Sequence, residues 1–283
     1  MNGFNSITTK NSKIHDIYIY AFLVILTIIC ALPLYLMLIG STLDDRTIVN
    51  GFQFYPGSNF QNNMDLIDRA VPLWQGFSNS LKISIPYTLL AAYFSALTAY
   101  GFSVYRFRFK KYLFGFVLAT MMIPQQLGII GYFDFCLKLG LVDTFFPLII
   151  TGTVNTLSIF FIKQYADQVL HPSLIEAARI DQATELQIFH TIALPVLTPV
   201  VATMSIFNFV FSWNNLMAPI LLIFSDDKYP LSVLIASLSS GKYPVNLGAT
   251  YLAITLSLMP IILIYTYCSK HIISGLTMGS VKE

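Results

Sequence analysis

Six stretches of this chain run without a charged residue for long enough to cross about 30 Å of hydrocarbon, and its polar residues collect between them. The runs are Ile17 to Ser41, Ile83 to Tyr105, Tyr112 to Phe133, Thr144 to Ile162, Val196 to Ile223 and Leu247 to Cys268. Pro33 predicts a kink in the first, and Pro124-Gln125-Gln126 interrupts the third. Gly101 and nearby Ser, Thr and Ala residues suit the second to close helix contact. Residues 42–76 read as a polar loop rich in Gly, Asn and Pro, and a second polar loop holds Asp226, Asp227 and Lys228. The pattern predicts an all-α membrane protein with six transmembrane helices over 17–268. A polar N-terminus (1–16) and a tail (269–283) flank it.

One stretch departs from this rhythm. Between the fourth and fifth runs, 165–195 is amphipathic and includes HPSLIEAARIDQATELQIFHTIALP. Pro172 suits the first position of a helix, where its missing N–H would have no partner. At 100° per residue Leu174, Ala177 and Ala178 gather on one side, with Glu176, Arg179 and Ala183 roughly opposite. Asp181 can cap a second short helix through Leu186, Ile188, Phe189 and Ile192, which Pro195 would end. The expected product is a helix–turn–helix beside the membrane, with small residues and an exposed carboxylate: the build of a docking element, though an amphipathic connector has the same pattern.

Composition supports the membrane assignment. The 283 residues are 55% hydrophobic and only 11% charged, against about 25% charged in soluble domains. Cys30, Cys136 and Cys268 lie far apart in apolar surroundings and suggest neither a disulfide framework nor a metal site. The first apolar run is too long for a signal-peptide core and predicts a retained helix. Charge placement predicts the orientation. Lys10, Lys13, Arg106, Arg108, Lys110, Lys111, Lys163, Arg179, Lys270 and Lys282 fall on the side of the termini, and Arg46, Arg69, Lys82, Lys138, Lys228 and Lys242 on the other. This bias puts both termini and the 165–195 loop in the cytoplasm.

Glu176-Ala177-Ala178, with Asp181 and the later Leu194-Pro195, resembles the EAA loop of membrane subunits of ATP-binding cassette importers. The longer run EAARID..TELQIF..IALP is similar to the carbohydrate branch, the family of the second maltose-transporter permease. AYGFSVYRFRFKK, MMIPQQ, SWNNLMAPI and GLTMGSVKE also resemble that family's stretches, in the right order. The resemblance implies that 165–195 carries a cytoplasmic coupling helix between the fourth and fifth spans, seated in a cleft of an ATPase subunit. Glu176, Ala177, Ala178, Arg179, Asp181 and Gln182 would form that contact. The family usually has glycine after the aspartate. Gln182 here predicts either a different turn or a residue held at positive φ at some cost. The resemblance further implies a second homologous permease, two ATPase subunits holding ATP and Mg, and an extracellular or periplasmic sugar-binding protein. The location it implies is a bacterial inner membrane. The tail, through Gly275, Gly279 and Lys282, would reach the ATPases.

The chain's own chemistry is sparse. The sequence Gly241-Lys242 is followed by Tyr243 and has no phosphate-cradling loop ahead of it. The spans hold no Asp, Glu, Lys, Arg or His at their centres, which disfavours an ion-coupled carrier. No paired carboxylates, HExxH or Gly-x-Ser-x-Gly points to an enzyme, and no cofactor, metal or nucleic acid is expected. Lipid is. Sugars are held by amides, hydroxyls and aromatic faces, so Asn155, Thr156, Asn208, Phe211, Trp213 and Asn214 are candidates for the substrate path. Intramembrane Asn and Thr also bond neighbouring helices, and Trp213 suits an interfacial anchor. The expected function is half of the translocation path of a sugar importer. A stand-alone facilitator or secondary carrier, or a membrane assembly subunit, are the alternatives.

Overall fold

A computed structural model describes the backbone of residues 5–240 and 246–277, and side chains over 15–124, 126–240 and 246–266. Among the described residues the chain is helix and turn, without strands. In chain order the helices are α1 (Asn5–Gly40), α2 (Asp45–Val49), α3 (Phe60–Ala70), α4 (Leu73–Val104), α5 (Lys110–Thr120), α6 (Gln125–Lys138) and α7 (Phe146–Ile150). They continue with α8 (Thr156–Val169), α9 (Pro172–Ile180), α10 (Glu185–Ile188), α11 (Leu194–Trp213), α12 (Met217–Leu222), α13 (Leu231–Ser239) and α14 (Leu247–Thr277).

Among the described residues five segments are long and apolar enough to cross a membrane: His15–Gly40, Leu73–Val104, Phe146–Val169, Glu185–Trp213 and Leu247–Thr266. The third expected span is two helices. At about 1.5 Å per residue the 11-residue α5 and the 14-residue α6 reach roughly 16 and 21 Å, each short of the hydrocarbon thickness. Pro124 causes the break. It has no N–H and pushes the preceding residue toward extended backbone. The expected fourth and fifth spans, 144–162 and 196–223, are interrupted as well. A 3₁₀ turn over Thr151–Thr153 separates α7 from α8, and Asn214 to Leu216 separate α11 from α12.

The chain divides into two compact units. One holds residues 1–71 and 238–256. Within it Asn63 is fully buried and donates to the carbonyls of Ser41 (2.9 Å) and Leu43 (3.0 Å). Gly248 makes this knot possible, because a Cβ there would stand 2.2 Å from the Leu43 carbonyl oxygen.

The other unit, residues 72–237 and 257–283, is built on α4, α8 and α11. Ala91, Ala96 and Ala99 are fully buried on α4, where small side chains let helices approach closely. Two apolar clusters lie along α4. Ile83 joins Cys136, Leu148, Leu222 and Ile223 in one. Ala96, Ala99 and Tyr100 join Ile162, Ile175, Ala178, Ile188, Phe189 and Leu197 in the other. Ile83 and Ala96 stand roughly 20 Å apart along the helix axis.

Asp143 fastens the loop before α7 to the segment after α12. Its backbone sits at φ 62 and its N–H donates to the Leu222 carbonyl at 2.7 Å. Its carboxylate accepts from the Phe224 and Ser225 amides (3.0 Å each), the Ser225 hydroxyl (2.5 Å) and the Lys228 ammonium (2.8 Å). Lys228 first, then Ser225, hold this carboxyl well below the usual carboxylate range.

Candidate functional site

The stretch after the fourth span folds as a short helix, a tight turn and a long helix. α8 runs on to Val169, because nothing breaks it until Leu170-His171 ahead of Pro172. Pro172 is the first residue of α9, as expected. The faces of α9 divide differently from expectation. Ile175 (2% exposed) and Ala178 point into the core, while Leu174, Glu176, Ala177, Arg179 and Ile180 (80% exposed) face outward. Ile175 is the anchor that the small-residue pattern concealed. It lies 100° from Leu174, so rotating the buried face by that step brings out an apolar patch around Glu176.

The helix ends in a Schellman turn. The Gln182 amide donates to the Arg179 carbonyl and the Ala183 amide to the Ala178 carbonyl, both at 3.1 Å. Gln182 occupies the left-handed position at φ 60, one of the two outcomes expected when glutamine stands where the family has glycine. Asp181 is the C-cap of α9 and not the cap of the next helix. Thr184 takes that role through a reciprocal box: its hydroxyl accepts from the Gln187 amide (3.4 Å), and Gln187 Oε1 accepts from the Thr184 amide (2.8 Å). Nor does Pro195 end the second helix. The chain widens into a π turn over Phe189–Ala193 and runs on into α11, so the missing proline N–H is absorbed without a break.

Glu185 ties the turn to the end of α4. Its Oε1 accepts from Arg179 Nε at 2.8 Å, and its Oε2 accepts from the hydroxyls of Tyr105 (2.5 Å) and Tyr100 (3.3 Å). The Arg179 guanidinium also lies 5.7 Å from the centre of the Tyr105 ring. This carboxylate raises the Arg179 pKa above its ordinary value. Glu185 was missed in the sequence because it reads there as one more charge on an amphipathic turn. Only its distance from two tyrosines, some 80 residues back, reveals its role.

The substrate-path candidates separate into two groups. Asn155 caps α8 by accepting from the Ser158 amide (2.9 Å) and donates through Nδ2 to Asn208 Oδ1 (2.9 Å). Asn208, 3% exposed, in turn donates to the Ser158 hydroxyl at 3.0 Å. Trp213 is buried, donates to the Ser257 carbonyl (3.0 Å) and stacks on Phe209. The polar atoms of Asn208 and Trp213 thus join helices within the chain. Phe211 and Asn214 are exposed, and Thr156 is half-buried at the start of α8. Of the expected tail contacts, Gly275 lies in the backbone of α14, while Gly279 and Lys282 lie outside the described residues.

Residues 81–277 match the family of the binding-protein-dependent transport system inner membrane component. The chain belongs to this family. The match begins within α4 and takes in the Tyr100–Tyr105–Arg179–Glu185 cluster, α9 and the interrupted spans. Among relatives in this transport family, the arabinooligosaccharides transport system permease protein AraQ of Halalkalibacterium halodurans is 34% identical over 74% of each chain. The Bacillus subtilis protein of the same name is 29% identical over 95% of this chain and 97% of its own. The lactose transport system permease protein LacG of Rhizobium radiobacter is 28% identical over 97% and 99%. The fold is shared with a solved bacterial ABC transporter involved in import of the acidic polysaccharide alginate, at a TM-score of 0.77 and 21% identity over 93% of this chain and 98% of that one. The protein is therefore a membrane component of a binding-protein-dependent importer, a transport subunit.

Proposed function

We propose that this permease subunit forms half of the translocation path of an ATP-binding cassette importer for an oligosaccharide or related sugar. The observation that carries the coupling part is the outward face of α9. It presents Leu174, Ala177 and Ile180 around Glu176, a surface left exposed among the described residues, on a helix clipped to α4 through Arg179 and Glu185. A separate ATPase subunit seats α9 in a cleft, with Glu176 facing a basic residue and Ala177 permitting close approach. Arg179, Asp181 and Gln182 shape the helix end. ATP and Mg belong to two such ATPases, and this chain binds no cofactor. The sugar class rests on the relatives named for arabinooligosaccharides and lactose.

In this reading α5 and α6 cross the membrane together as one broken span, giving six. Interrupted backbone is tolerated at membrane depth where it is buried in protein or lines a wet cavity. The breaks at 121–124, 151–155 and 214–216 are therefore the places where a path fits. Asn155, Thr156, Phe211 and Asn214 stand at or next to two of them. The lysine and arginine bias puts both termini and α9 in the cytoplasm. A second homologous permease closes the path, and an external sugar-binding protein delivers the substrate.

Affinity purification from the native membrane tests the assignment. An ATPase recovered with the wild-type chain, and lost with Glu176→Lys or Ala177→Asp despite normal membrane insertion, is the expected result. Recovery of the chain alone, active in liposomes without ATP, would transfer it to the facilitators.

A further inference from the structure

α4 ends at Val104, and the next eight residues, Tyr105 to Tyr112, alternate aromatic and basic side chains: YRFRFKKY. They form an elbow into α5. Lys110 turns inward, and its ammonium donates to the Tyr105 carbonyl (3.0 Å) and the Ser103 carbonyl (3.4 Å), closing the end of α4. The other three cations stay outside. Arg106, Arg108 and Lys111 are exposed, and among the described residues none has a carboxylate within ion-pair distance. Two acidic groups of this unit are committed elsewhere, Asp167 to Lys163 at 2.5 Å and Glu185 to Arg179 at 2.8 Å.

Three aromatics of the elbow are exposed too, although the Phe107 ring also lies 6.0 Å from the Phe102 ring of α4. Phe107, Phe109 and Tyr112 are exposed, Tyr112 at 77%, and the Arg108 guanidinium lies 5.6 Å from the centre of the Phe109 ring. Three uncompensated cations at the mouth of a membrane span, interleaved with rings that favour the headgroup level, match a negatively charged, amphipathic partner. A solvated charge run would not carry three large exposed rings.

We propose that the elbow 105–112 is a docking site for an anionic phospholipid. Arg106, Arg108 and Lys111 hold the phosphate, and Phe107, Phe109 and Tyr112 sit among the glycerol and upper acyl groups. The site requires only that α4 spans the membrane, whichever face is cytoplasmic, and so stands apart from the ATPase assignment. It shares Tyr105 with the Glu185 cluster, which places the bound lipid next to the joint of α9.

The test uses the purified importer complex in mild detergent, titrated with phosphatidylglycerol or phosphatidylcholine and read by native mass spectrometry. Wild type is expected to retain phosphatidylglycerol in preference, with the preference fading as salt rises. The triple variant Arg106→Gln, Arg108→Gln, Lys111→Gln should weaken retention about fivefold per charge removed. The variant Arg106→Lys, Arg108→Lys should keep most of it. Equal retention by an assembled glutamine variant would overturn the proposal. If that variant does not assemble, the wild-type series decides, and no preference between the two lipids, or one indifferent to salt, overturns it.

Discussion

Arg179 and Glu185 face each other across the Schellman turn with Nε and Oε1 2.8 Å apart, and the same carboxylate reaches Tyr105 on the far side. The end of α9 is therefore fastened to the end of α4 as well as, along the backbone, to α11. The pair is about half exposed, so its own contribution to stability is at most about 1 kcal/mol. Its value lies in alignment.

Glu185→Ala should accordingly lower ATP-driven uptake about tenfold while the subunits still assemble, because a misaligned helix transmits poorly. Glu185→Gln, which keeps an acceptor for the tyrosines, should fall between. The ratio of sugar taken up to ATP hydrolysed is the quantity to follow, and an unchanged ratio in Glu185→Ala would remove the residue from the coupling path.

Gln182 carries a conformational cost. A residue with a Cβ in the left-handed region loses about 1 kcal/mol relative to the right-handed region, a loss glycine avoids. Gln182→Gly should raise the Tm of the purified complex by roughly 3 °C. Gln182→Val, β-branched, should lower it. Since Gln182 is exposed and its side chain makes no hydrogen bond among the described residues, a Tm that does not move would mean that the turn relaxes in the assembled transporter.

The sequence exposed some of this and concealed the rest, for definable reasons. Pro172 marked the start of α9 because a proline lacking its N–H fits few other places, and Gln182 marked the strained turn because a single φ decides it. Asp181 misled, since either Asp181 or Thr184 can cap a helix and only the Gln187 reciprocal bond distinguishes them. Pro195 misled because a π turn accommodates it. The breaks near Asn155 and Asn214 were visible only as polar residues inside apolar runs. Glu185 was hidden altogether, its partners being remote in sequence.

Asp143 gives a prediction in pH. Its folded carboxyl titrates below its unfolded value, so the knot with Lys228 and Ser225 contributes fully above the ordinary carboxylate pKa of about 3.9 and is lost only as pH falls further, through the folded value. Protease resistance of the 139–145 and 223–229 loops should therefore be flat from neutral pH to about pH 5. In Asp143→Asn, which removes the ion pair at every pH, those loops should be cleaved faster already at neutral pH. A wild-type loop that loosens near pH 6 would assign the knot to another group.

The amide pair in the interrupted spans separates a joint from a lining. Asn208 is buried, and removing it strands Ser158 and the Asn155 amide together. Each buried polar group left without a partner costs about 1–3 kcal/mol. Asn208→Ala should therefore reduce the amount of assembled complex, and uptake should fall in proportion to that amount. Among the described residues Phe211 and Asn214 hold no such buried network, and Phe211 makes a ring contact with Tyr87 at 6.1 Å. Phe211→Ala and Asn214→Ala should leave assembly unchanged and raise the KM for sugar several-fold if these side chains line the path. Asn155→Ala tests both roles, since it loses the cap on Ser158 and the bond to Asn208 while exposing any loss of sugar contact. Total uptake and complex abundance, both measured for all four variants, distinguish the two. A drop confined to Asn208 and Asn155 that tracks complex abundance would make the amides purely structural. A drop in Phe211 and Asn214 at full abundance would locate the path at the 214–216 break.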